Sequence, residues 1–465
     1  MKKIVDPFYL LPFVIFCVAL SGCKKFVSIP APDDKLVNTS VFQDDATATA
    51  TVLGIYEKMM ESIAYFSNGG VTFYTGLAAD ELVPTPTNSV YNEFYSNQIS
   101  PANTSLKKAI WGSAYQTLYQ CNSVLTGVSN SPISVSVKNQ LMGEVTFIRA
   151  FYQFYLVNLF GDIPLVTQPD YALNRVAFRM PIDKVYSQIL KDLQDAVKLL
   201  PDNYVDKNNK ITTTEKVRPN KGAANALMAR VYLYMKDWKD AEATAGLLIS
   251  QTDRYSLDSD LNQVFLAGSD EAIWQLMPVV PNQNAAEGYM FVLTSAIPVY
   301  ASLDSGLRKG FQPEDQRAKN WIGCYVNAGD SVYYPAKYKV KVSTSLREYN
   351  NVLRLAEQYL IRSEARNEED NVSGAADDLN KIRQRAGLDI TEANDYESMK
   401  LAIESERRHE LFCEWGHRWL DLKRTGRIDA VLSERKSSWE PTDSLFPIPQ
   451  IEIQNDANLT QNPGY

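Results

Sequence analysis

Histidine is nearly absent from this sequence of 465 residues, which contains only His409 and His417. A zinc-binding HExxH helix needs a second histidine four residues after the first, and that position holds Cys413. On a single helix the two histidines would be separated by about 12 Å of rise, too far to share one ion. A catalytic triad would need one of them as its base, and no segment suggests one. The sequence therefore predicts neither a metal site nor a cofactor.

Cysteine and basic charge are also scarce. The five cysteines are widely spaced, no CxxC occurs, and the three that follow Cys23 are an odd number, so at least one thiol must be free. The formal net charge is −8 and no dense Lys/Arg cluster is present. Nucleic acids are bound by neutralising phosphates, so the composition argues against a nucleic-acid partner. The 55 acidic residues leave an all-α glycosidase possible, but no segment marks two of them as a catalytic pair.

Long apolar runs are missing except at the beginning of the chain. Residues 8–20 form a nearly unbroken apolar stretch after Lys2 and Lys3, shorter than the roughly 20 residues that span a bilayer. The stretch fits a signal peptide, and its end, Leu-Ser-Gly-Cys23, resembles a bacterial lipobox. We therefore predict a lipoprotein signal peptide over residues 1–22, lipid on Cys23 and a tether over residues 23–40. The lipid is then the predicted membrane anchor.

The rest of the chain shows mainly helical periodicity. Apolar residues recur every three or four positions over residues 182–200, between Pro181 and Pro201. Residues 142–160 repeat the pattern with much more aromatic bulk, which predicts a helix buried on most sides and ended by Gly161.

Two segments are typical of helix pairs. Residues 223–235 and 238–249 are joined by a two-residue turn, and residues 353–367 and 374–386 by a short polar connection. Their alanine spacing resembles tetratricopeptide units. We predict a mainly α fold in which such helical hairpins form a solenoid-like core within one domain, residues 41–465.

Loop insertions near residues 84–105 and 278–341 interrupt this pattern. They are rich in amides and aromatics, and residues 321–341 alternate like two strands around Asn327 to Asp330, which predicts a small β-hairpin. Loops on a rigid scaffold commonly carry binding residues. The insertions are therefore the predicted binding face.

Sugar binding needs little more than these insertions contain. A pyranose stacks its C–H face on an aromatic ring, and its hydroxyls pair with amides and carboxylates. The candidate ligand-binding residues in the insertions are Tyr91, Asn92, Tyr95, Tyr289 and Trp321. Residues 84–105 and 278–300 contain no Lys or Arg, which favours a neutral oligosaccharide over a polyanionic glycan. The same side chains could instead hold an extended peptide.

The C-terminal part carries the most specific pattern, ERRHELFCEWGHRWLDLKRTG over residues 406–426. If residues 404–426 formed one helix, Glu404 could pair with Arg408 and Glu414 with Arg418 along its surface, and the predicted role of the segment is structural. The run resembles the signature of the SusD/RagB family of outer-membrane nutrient-binding lipoproteins. Further similar segments lie in the family's order: CKKF at residues 23–26, FGDIPLV at 160–166, AEQYLIRSEA at 356–365, FPIP at 446–449 and QNPGY at 461–465.

The resemblance implies a tetratricopeptide-like fold and a binding function without catalysis. Members of this family lie on the outer face of the outer membrane above a TonB-dependent transporter of the SusC type, and pass oligosaccharides, or in some cases peptides, into it. It also adds Asp80 to the candidate residues, since members often bring a polar residue to the ligand there. An envelope assembly scaffold and an all-α glycosidase are the alternatives from other classes.

Overall fold

The computed structural model describes residues 41–85, 87–212, 214–327 and 329–465. The predicted signal peptide, the lipidation site at Cys23 and the tether lie outside the described residues. Residues 42–465 form one compact unit. No helix in the described part of the chain is long and apolar enough to cross a membrane.

The fold is mainly helical, as the periodicity predicted. The helices are α1 (Asp45–Met60), α2 (Gly70–Ala78), α3 (Ser89–Tyr95), α4 (Ser113–Ser129), α5 (Val135–Phe160), α6 (Tyr171–Asn174), α7 (Ile182–Leu199), α8 (Lys221–Met235), α9 (Trp238–Ile249), α10 (Ala286–Phe291), α11 (Ser305–Gly310), α12 (Gln316–Trp321), α13 (Leu355–Glu368), α14 (Val372–Arg385), α15 (Tyr396–Glu410), α16 (His417–Arg424), α17 (Ile428–Leu432) and α18 (Gln450–Asn455). A π-helical segment, Leu106–Gly112, leads directly into α4.

The strands of the described residues form antiparallel pairs. They are β1 (Leu82–Pro84), β2 (Ile163–Pro164), β3 (Arg179–Met180), β4 (Tyr204–Val205), β5 (Ile211–Thr212), β6 (Ala272–Leu276), β7 (Ala301–Leu303), β8 (Ile322–Asn327), β9 (Asp330–Pro335) and β10 (Asn350–Arg354). The pairs are β1 with β7, β2 with β3, β4 with β5, β6 with β10 and β8 with β9. The last pair is the hairpin predicted from the alternating pattern.

The two predicted helix pairs are α8–α9 and α13–α14. Lys236 turns the chain between α8 and α9 in the left-handed region, at φ 60°. Helix α13 begins two residues later than predicted because residues 350–354 form β10 against β6. Helix α5 begins earlier than predicted, and it ends at Gly161, which takes a φ of 73° and donates its N–H to the Val157 carbonyl.

The helix pairs pack on each other although a long insertion separates them in sequence. Alanines dominate the contact between α8, α9 and α13, and this core cluster consists of Ala229, Leu233, Ala241, Ala245, Ile361 and Ala365. Small side chains let helices approach closely. The guanidinium of Arg230 lies in the same region and pairs with Glu357, with N to O distances of 2.6 and 2.7 Å. Both residues are buried, so each charge needs the other.

The C-terminal signature is not a single helix. Helix α15 ends at Glu410, and α16 begins at His417. Between them Cys413 and Trp415 adopt left-handed conformations, at φ 50° and 44°. Side chains from the other end of the chain satisfy the backbone N–H groups that the break leaves. Glu81 accepts a hydrogen bond from the N–H of Cys413 at 3.1 Å, and Thr72 accepts one from that of Trp415 at 3.0 Å.

The break changes the ion pairs that a continuous helix would have made. Glu414 pairs with Arg354 and Lys337 in the interior and not with Arg418. Glu404 lies 3.6 Å from Arg418, and Arg408 pairs elsewhere. The prediction of two surface pairs at a spacing of four residues is therefore wrong. The break separates Glu414 from Arg418, and Arg408 pairs with Asp80 and not with Glu404, although both lie on α15. The prediction that the segment is structural agrees with this buried network.

Candidate functional site

The two predicted insertions meet at the β1–β7 sheet. Val83 pairs with Ser302, and the backbone N–H of Thr85 donates to the Tyr300 carbonyl at 3.0 Å. Just beyond β1, Asn88 caps helix α3 by accepting a hydrogen bond from the N–H of Tyr91. The sheet and the cap together place the first turn of α3 beside the residues that enter β7.

Three tyrosines form a continuous row at this junction, which we call the tyrosine row: Tyr289, Tyr300 and Tyr91. The rings of Tyr91 and Tyr300 are nearly parallel, with centroids 6.3 Å apart and planes 19° from parallel. Tyr289 meets Tyr300 at the same distance but at 67°. Phe73 supports Tyr91 from the buried side, edge to face at 4.9 Å. All three tyrosines are partly exposed, so the row presents aromatic surface to solvent.

The phenols of Tyr91 and Tyr300 stay protonated at neutral pH. Burial, reinforced by the nearby Tyr91 and Tyr289 hydroxyls, raises the pKa of Tyr300 to about 12. Burial also raises the pKa of Tyr91. A neutral phenol can both donate and accept a hydrogen bond, which suits the hydroxyl groups of a sugar.

An open pocket of about 490 Å³ lies beside the row. Its walls come from both insertions and consist of Thr85, Thr87, Asn88, Ser89, Ile297, Pro298 and Val299. Thr87 and Ser89 are exposed and offer hydroxyl groups. On the opposite wall Ile297 and Val299 are 71% and 69% exposed, so they offer apolar surface. The pocket thus combines the polar and apolar contacts that carbohydrate recognition requires.

Tyr95 lies one helical turn beyond Tyr91 on α3 and is 37% exposed. The Lys436 ammonium lies 5.0 Å from its ring centroid. That ammonium donates to the carbonyls of Leu77 and Ala78, and burial lowers the pKa of Lys436 to about 7. Tyr95 therefore offers an exposed ring on the same helix as Tyr91, next to a cation that the backbone already holds. Asn92 is partly exposed on the same helix.

Asp80 is buried and fully engaged in ion pairs. Arg418 donates to both of its carboxylate oxygens, at 2.8 and 3.3 Å, and Arg408 donates to Oδ2 at 2.6 Å. Arg435 approaches Oδ2 to 3.3 Å. Burial alone would raise the pKa of Asp80, but Arg418 and Arg408 outweigh it and lower that pKa. Asp80 links the loop after α2 to the C-terminal helices, so its carboxylate is not open to a ligand.

Trp321 is not a platform for a ligand either. It is the last residue of α12, has 0% exposure, and donates its indole N–H to the Leu261 carbonyl at 3.0 Å. Phe265 packs against it edge to face at 5.6 Å, and the Lys337 ammonium lies 4.8 Å from its ring centroid. The expectation that it faces a ligand is corrected, because the residue before the hairpin belongs to the core.

Tyr300 was not among the candidates, although it completes the row. The sequence could have indicated Tyr300, since it is the last residue of the amide-rich segment that contains Tyr289. What the sequence did not contain was the β1–β7 pairing that brings it against Tyr91. The structure also adds one cation, because Lys341 lies 5.5 Å from the Tyr289 ring centroid. Its ammonium donates to the Tyr289 and Val292 carbonyls, so the backbone already holds that charge.

The described residues contain no cluster of three or more His, Cys, Asp or Glu side chains that could hold a metal ion. The two histidines lie on different helices, so the assumption that they share one is wrong. Burial, aided by Arg317 and Arg408, lowers the pKa of His409 to about 4, and burial also lowers that of His417. Cys121, Cys324 and Cys413 are free thiols, as the odd cysteine count required of at least one.

Two family models match most of the chain between them. One, described as "Starch-binding associating with outer membrane", matches residues 38–233, and the other, described as "SusD family", matches residues 298–465. The junction of the two insertions draws on both matched segments.

Full-length relatives and solved structures agree with these models. SusD-like protein P25 from Formosa agariphila is 25% identical over 98% of this chain and 99% of its own. A laminarin-binding SusD-like protein has a TM-score of 0.77 at 24% identity, over 91% of this chain and 100% of that one. Surface glycan-binding protein A from Bacteroides fluxus has a TM-score of 0.75 at 21% identity, over 94% of this chain and 100% of that one. The last two show that the fold is shared.

Proposed function

This chain belongs to the SusD family, and from that premise we propose that it captures neutral oligosaccharides on the cell surface and delivers them to a TonB-dependent outer-membrane transporter of the SusC type. SusD family proteins bind glycans in association with the outer membrane and do not catalyse a reaction. The substrate class, the transporter and the lipid anchor on Cys23 are the parts of the proposal that need testing.

The observation that carries the proposal is the tyrosine row beside the open pocket. Two rings whose planes are 19° from parallel offer neighbouring stacking surfaces, and a third ring lies at an angle to them. An oligosaccharide bound there could place one sugar face on each of two rings and its hydroxyls against Thr87 and Ser89. A single sugar would use only part of this surface, which favours a chain of sugars as the ligand.

The charge of the junction supports a neutral ligand. Lys341 lies against the ring of Tyr289 and Lys436 against that of Tyr95, but backbone carbonyls occupy both ammonium groups, and burial lowers the pKa of each. A uronate or sulfate on the glycan would lose water here without gaining an unoccupied cation. Because one relative is a laminarin-binding protein, oligosaccharides from laminarin are suitable first probes.

The test is a glycan array and an extended-peptide library, each probed with the soluble chain from residue 24 onward, followed by isothermal titration of every hit. The proposal expects neutral oligosaccharides to bind with 1:1 stoichiometry and peptides to fail. Binding of peptides alone would identify a peptide-capturing member of the family instead.

The partner is tested by pull-down of the lipidated protein from detergent-solubilised membranes. We expect a large β-barrel protein to be recovered with it. Recovery of envelope assembly proteins without such a barrel would support the scaffold alternative and contradict the proposed delivery step.

A further inference from the structure

The connection from α5 to α7 exposes a cluster of large apolar side chains, and we call residues 171–182 the apolar segment. No separate stretch of this length in the described part of the chain exposes more than two such side chains, whereas the apolar segment exposes five. They are Tyr171 at 77%, Phe178 at 66%, Leu173 at 54%, Ile182 at 46% and Val176 at 43%. Exposed apolar patches of several residues mark interaction sites on soluble proteins.

Hydrogen bonds hold the apolar segment to the body of the protein. Asp170 caps α6, and its carboxylate accepts hydrogen bonds from two backbone N–H groups of that helix. Asn458, in the C-terminal tail, donates to the Val176 carbonyl at 2.9 Å. The guanidinium of Arg179 donates to three backbone carbonyls, those of Phe160, Asp162 and Thr460. A partner would therefore meet these apolar side chains already in place and would not have to order the segment on binding.

An open pocket of about 370 Å³ lies at one end of the apolar segment. Phe178 and Ile182 line it together with Leu445 and residues of the C-terminal tail, among them Asn458. Because Asn458 also holds the Val176 carbonyl, the pocket adjoins the rest of the apolar segment. Protein interfaces concentrate their binding energy where a bulky side chain of one partner fills a pocket of the other. This end of the segment can accept such a side chain.

The charges around the apolar segment favour a protein over a bilayer as its partner. Exposed side chains of both signs flank the apolar ones, since Asp170 and Asp183 are acidic and Arg175 and Lys184 are basic. Segments that bind to a membrane surface are instead rich in Lys and Arg. An apolar centre with a polar rim is the arrangement found in protein interfaces.

The position of the apolar segment relative to the N-terminal end of the compact unit limits where that partner lies. The ring of Phe42 packs against Gly127 near the end of α4, where a side chain on the glycine would collide with it. Asn122 of the same helix donates at 3.0 Å to a backbone carbonyl of the loop that leads to the apolar segment. The proposed tether, residues 24–40, can extend to at most about 60 Å from Cys23. The lipid would thus keep the segment within reach of proteins that project from the outer membrane.

From these observations we propose that the apolar segment is the surface through which this protein docks on the extracellular rim of the outer-membrane transporter. The inference rests on the proposed function, which supplies the transporter, and it adds the surface that meets it. The matching surface of the barrel is apolar, with a bulky side chain for the pocket beside Phe178 and charges of both signs around it. That pocket shares no lining residue with the pocket beside the tyrosine row, so docking and glycan binding use separate residues.

Site-specific photo-cross-linking in intact membranes tests the contact. A benzophenone amino acid replaces Tyr171 or Phe178 and, as the control, Leu401, which is 56% exposed on α15. We expect the full lipidated protein to form an adduct with a large β-barrel protein from positions 171 and 178 but not from position 401. Adducts with lipid alone would identify a membrane-binding surface, and adducts with a second copy of this chain a self-association surface. Either result, or no adduct, would overturn the proposal.

Charge-introducing variants test whether the contact is needed. Leu173→Asp/Phe178→Asp should lower the recovery of the barrel by about tenfold or more in pull-down from detergent-solubilised membranes. The matched variant Ile390→Asp/Leu401→Asp, at side chains that are 59% and 56% exposed elsewhere, should leave recovery unchanged. Both double variants should keep the thermal midpoint and the oligosaccharide affinity of the unaltered protein, since all four side chains are exposed and lie outside the tyrosine row.

The outcomes separate the docking surface from the proposed function. Undiminished recovery of the barrel by Leu173→Asp/Phe178→Asp would exclude the apolar segment as the docking surface and leave the delivery step intact. Equal loss of recovery in both double variants would also remove the specific role of the segment. Failure of the unaltered protein to recover a barrel would contradict the delivery step itself.

Discussion

The rings of Tyr91 and Tyr300 lie nearly parallel with their centroids 6.3 Å apart, although the two residues come from insertions far apart in sequence. The hydrogen bond from the Thr85 N–H to the Tyr300 carbonyl joins the backbones of the two insertions next to these rings. An aromatic surface of this kind exists only when both insertions are correctly paired. Replacing either tyrosine alone is therefore expected to weaken binding at the row.

Replacing either ring should weaken oligosaccharide binding. Tyr300→Ala and Tyr91→Ala each remove one stacking surface, and we expect a loss of about tenfold in affinity, roughly 1.4 kcal/mol. Tyr300→Phe keeps the ring and should retain most of the binding. Tyr171→Ala, at a tyrosine that is 77% exposed outside the row, is the control. Titration of the array hits measures the effect, and normal binding by both alanine variants would place the site elsewhere.

Trp321→Ala should act on stability and not on recognition. The change empties a fully buried site and removes the hydrogen bond to the Leu261 carbonyl, so we expect a loss of about 3–5 kcal/mol in the free energy of unfolding. Trp321→Phe fills part of the space and should cost less. Urea denaturation gives the difference. A variant that has the same free energy of unfolding as the unaltered protein but no longer binds glycan would instead make Trp321 a ligand residue.

Asp80→Asn should destabilise the protein because it leaves Arg418, Arg408 and Arg435 without their shared counter-charge. Loss of one partner from a buried ion pair costs about 3–5 kcal/mol. The folded-state pKa of Asp80 is lowered, so its contribution is present above the ordinary value and is lost as the pH falls through the folded value. The variant should thus lose less stability on acidification than the unaltered protein. Asp377→Asn, at an exposed carboxylate, should change neither stability nor its acid dependence.

Glu81 should give the opposite pH dependence. Burial raises its pKa from 4.5 to about 7 and outweighs the hydrogen bond from the Cys413 N–H, which lowers that pKa. A raised folded-state pKa contributes stability that is complete below about 4.5 and is lost as the pH rises towards about 7. One such group contributes a slope of at most about 1.4 kcal/mol per pH unit. Glu81→Gln keeps an oxygen for Cys413 and should flatten this part of the stability profile, measured by denaturation at a series of pH values.

Cys23→Ala tests the anchor. We expect the variant to lose its lipid and its place in the outer membrane while its thermal midpoint stays unchanged, because residues 42–465 form a compact unit without it. Mass spectrometry of the native N-terminal peptide should find diacylglycerol on Cys23. An unlipidated peptide that begins elsewhere would contradict the prediction.

Local patterns were enough to predict several helices, but not where the chain breaks between helices or which elements pack together. The apolar spacing located α7 and α9 to within about one residue because an amphipathic face fixes the helical period. The break between α15 and α16 could not be predicted, because Glu81 and Thr72, distant in sequence, stabilise it. The same limit applies to the site. The sequence indicated the two insertions. Only the β1–β7 pairing shows that Tyr300 belongs to the candidate site, and only the buried packing of Trp321 shows that it does not.

The ion pair between Arg230 and Glu357 sets a condition on the order of folding. Arg230 becomes buried on α8, yet its carboxylate partner lies on α13, 127 residues later in the chain. A nascent or partly translocated chain that lacks α13 would have to keep Arg230 in water. Helices α8 and α9 therefore cannot pack in their final positions before α13 is present. We therefore expect chains truncated before α13 to remain susceptible to protease over residues 221–249, with maturation completed only after the C-terminal third has arrived.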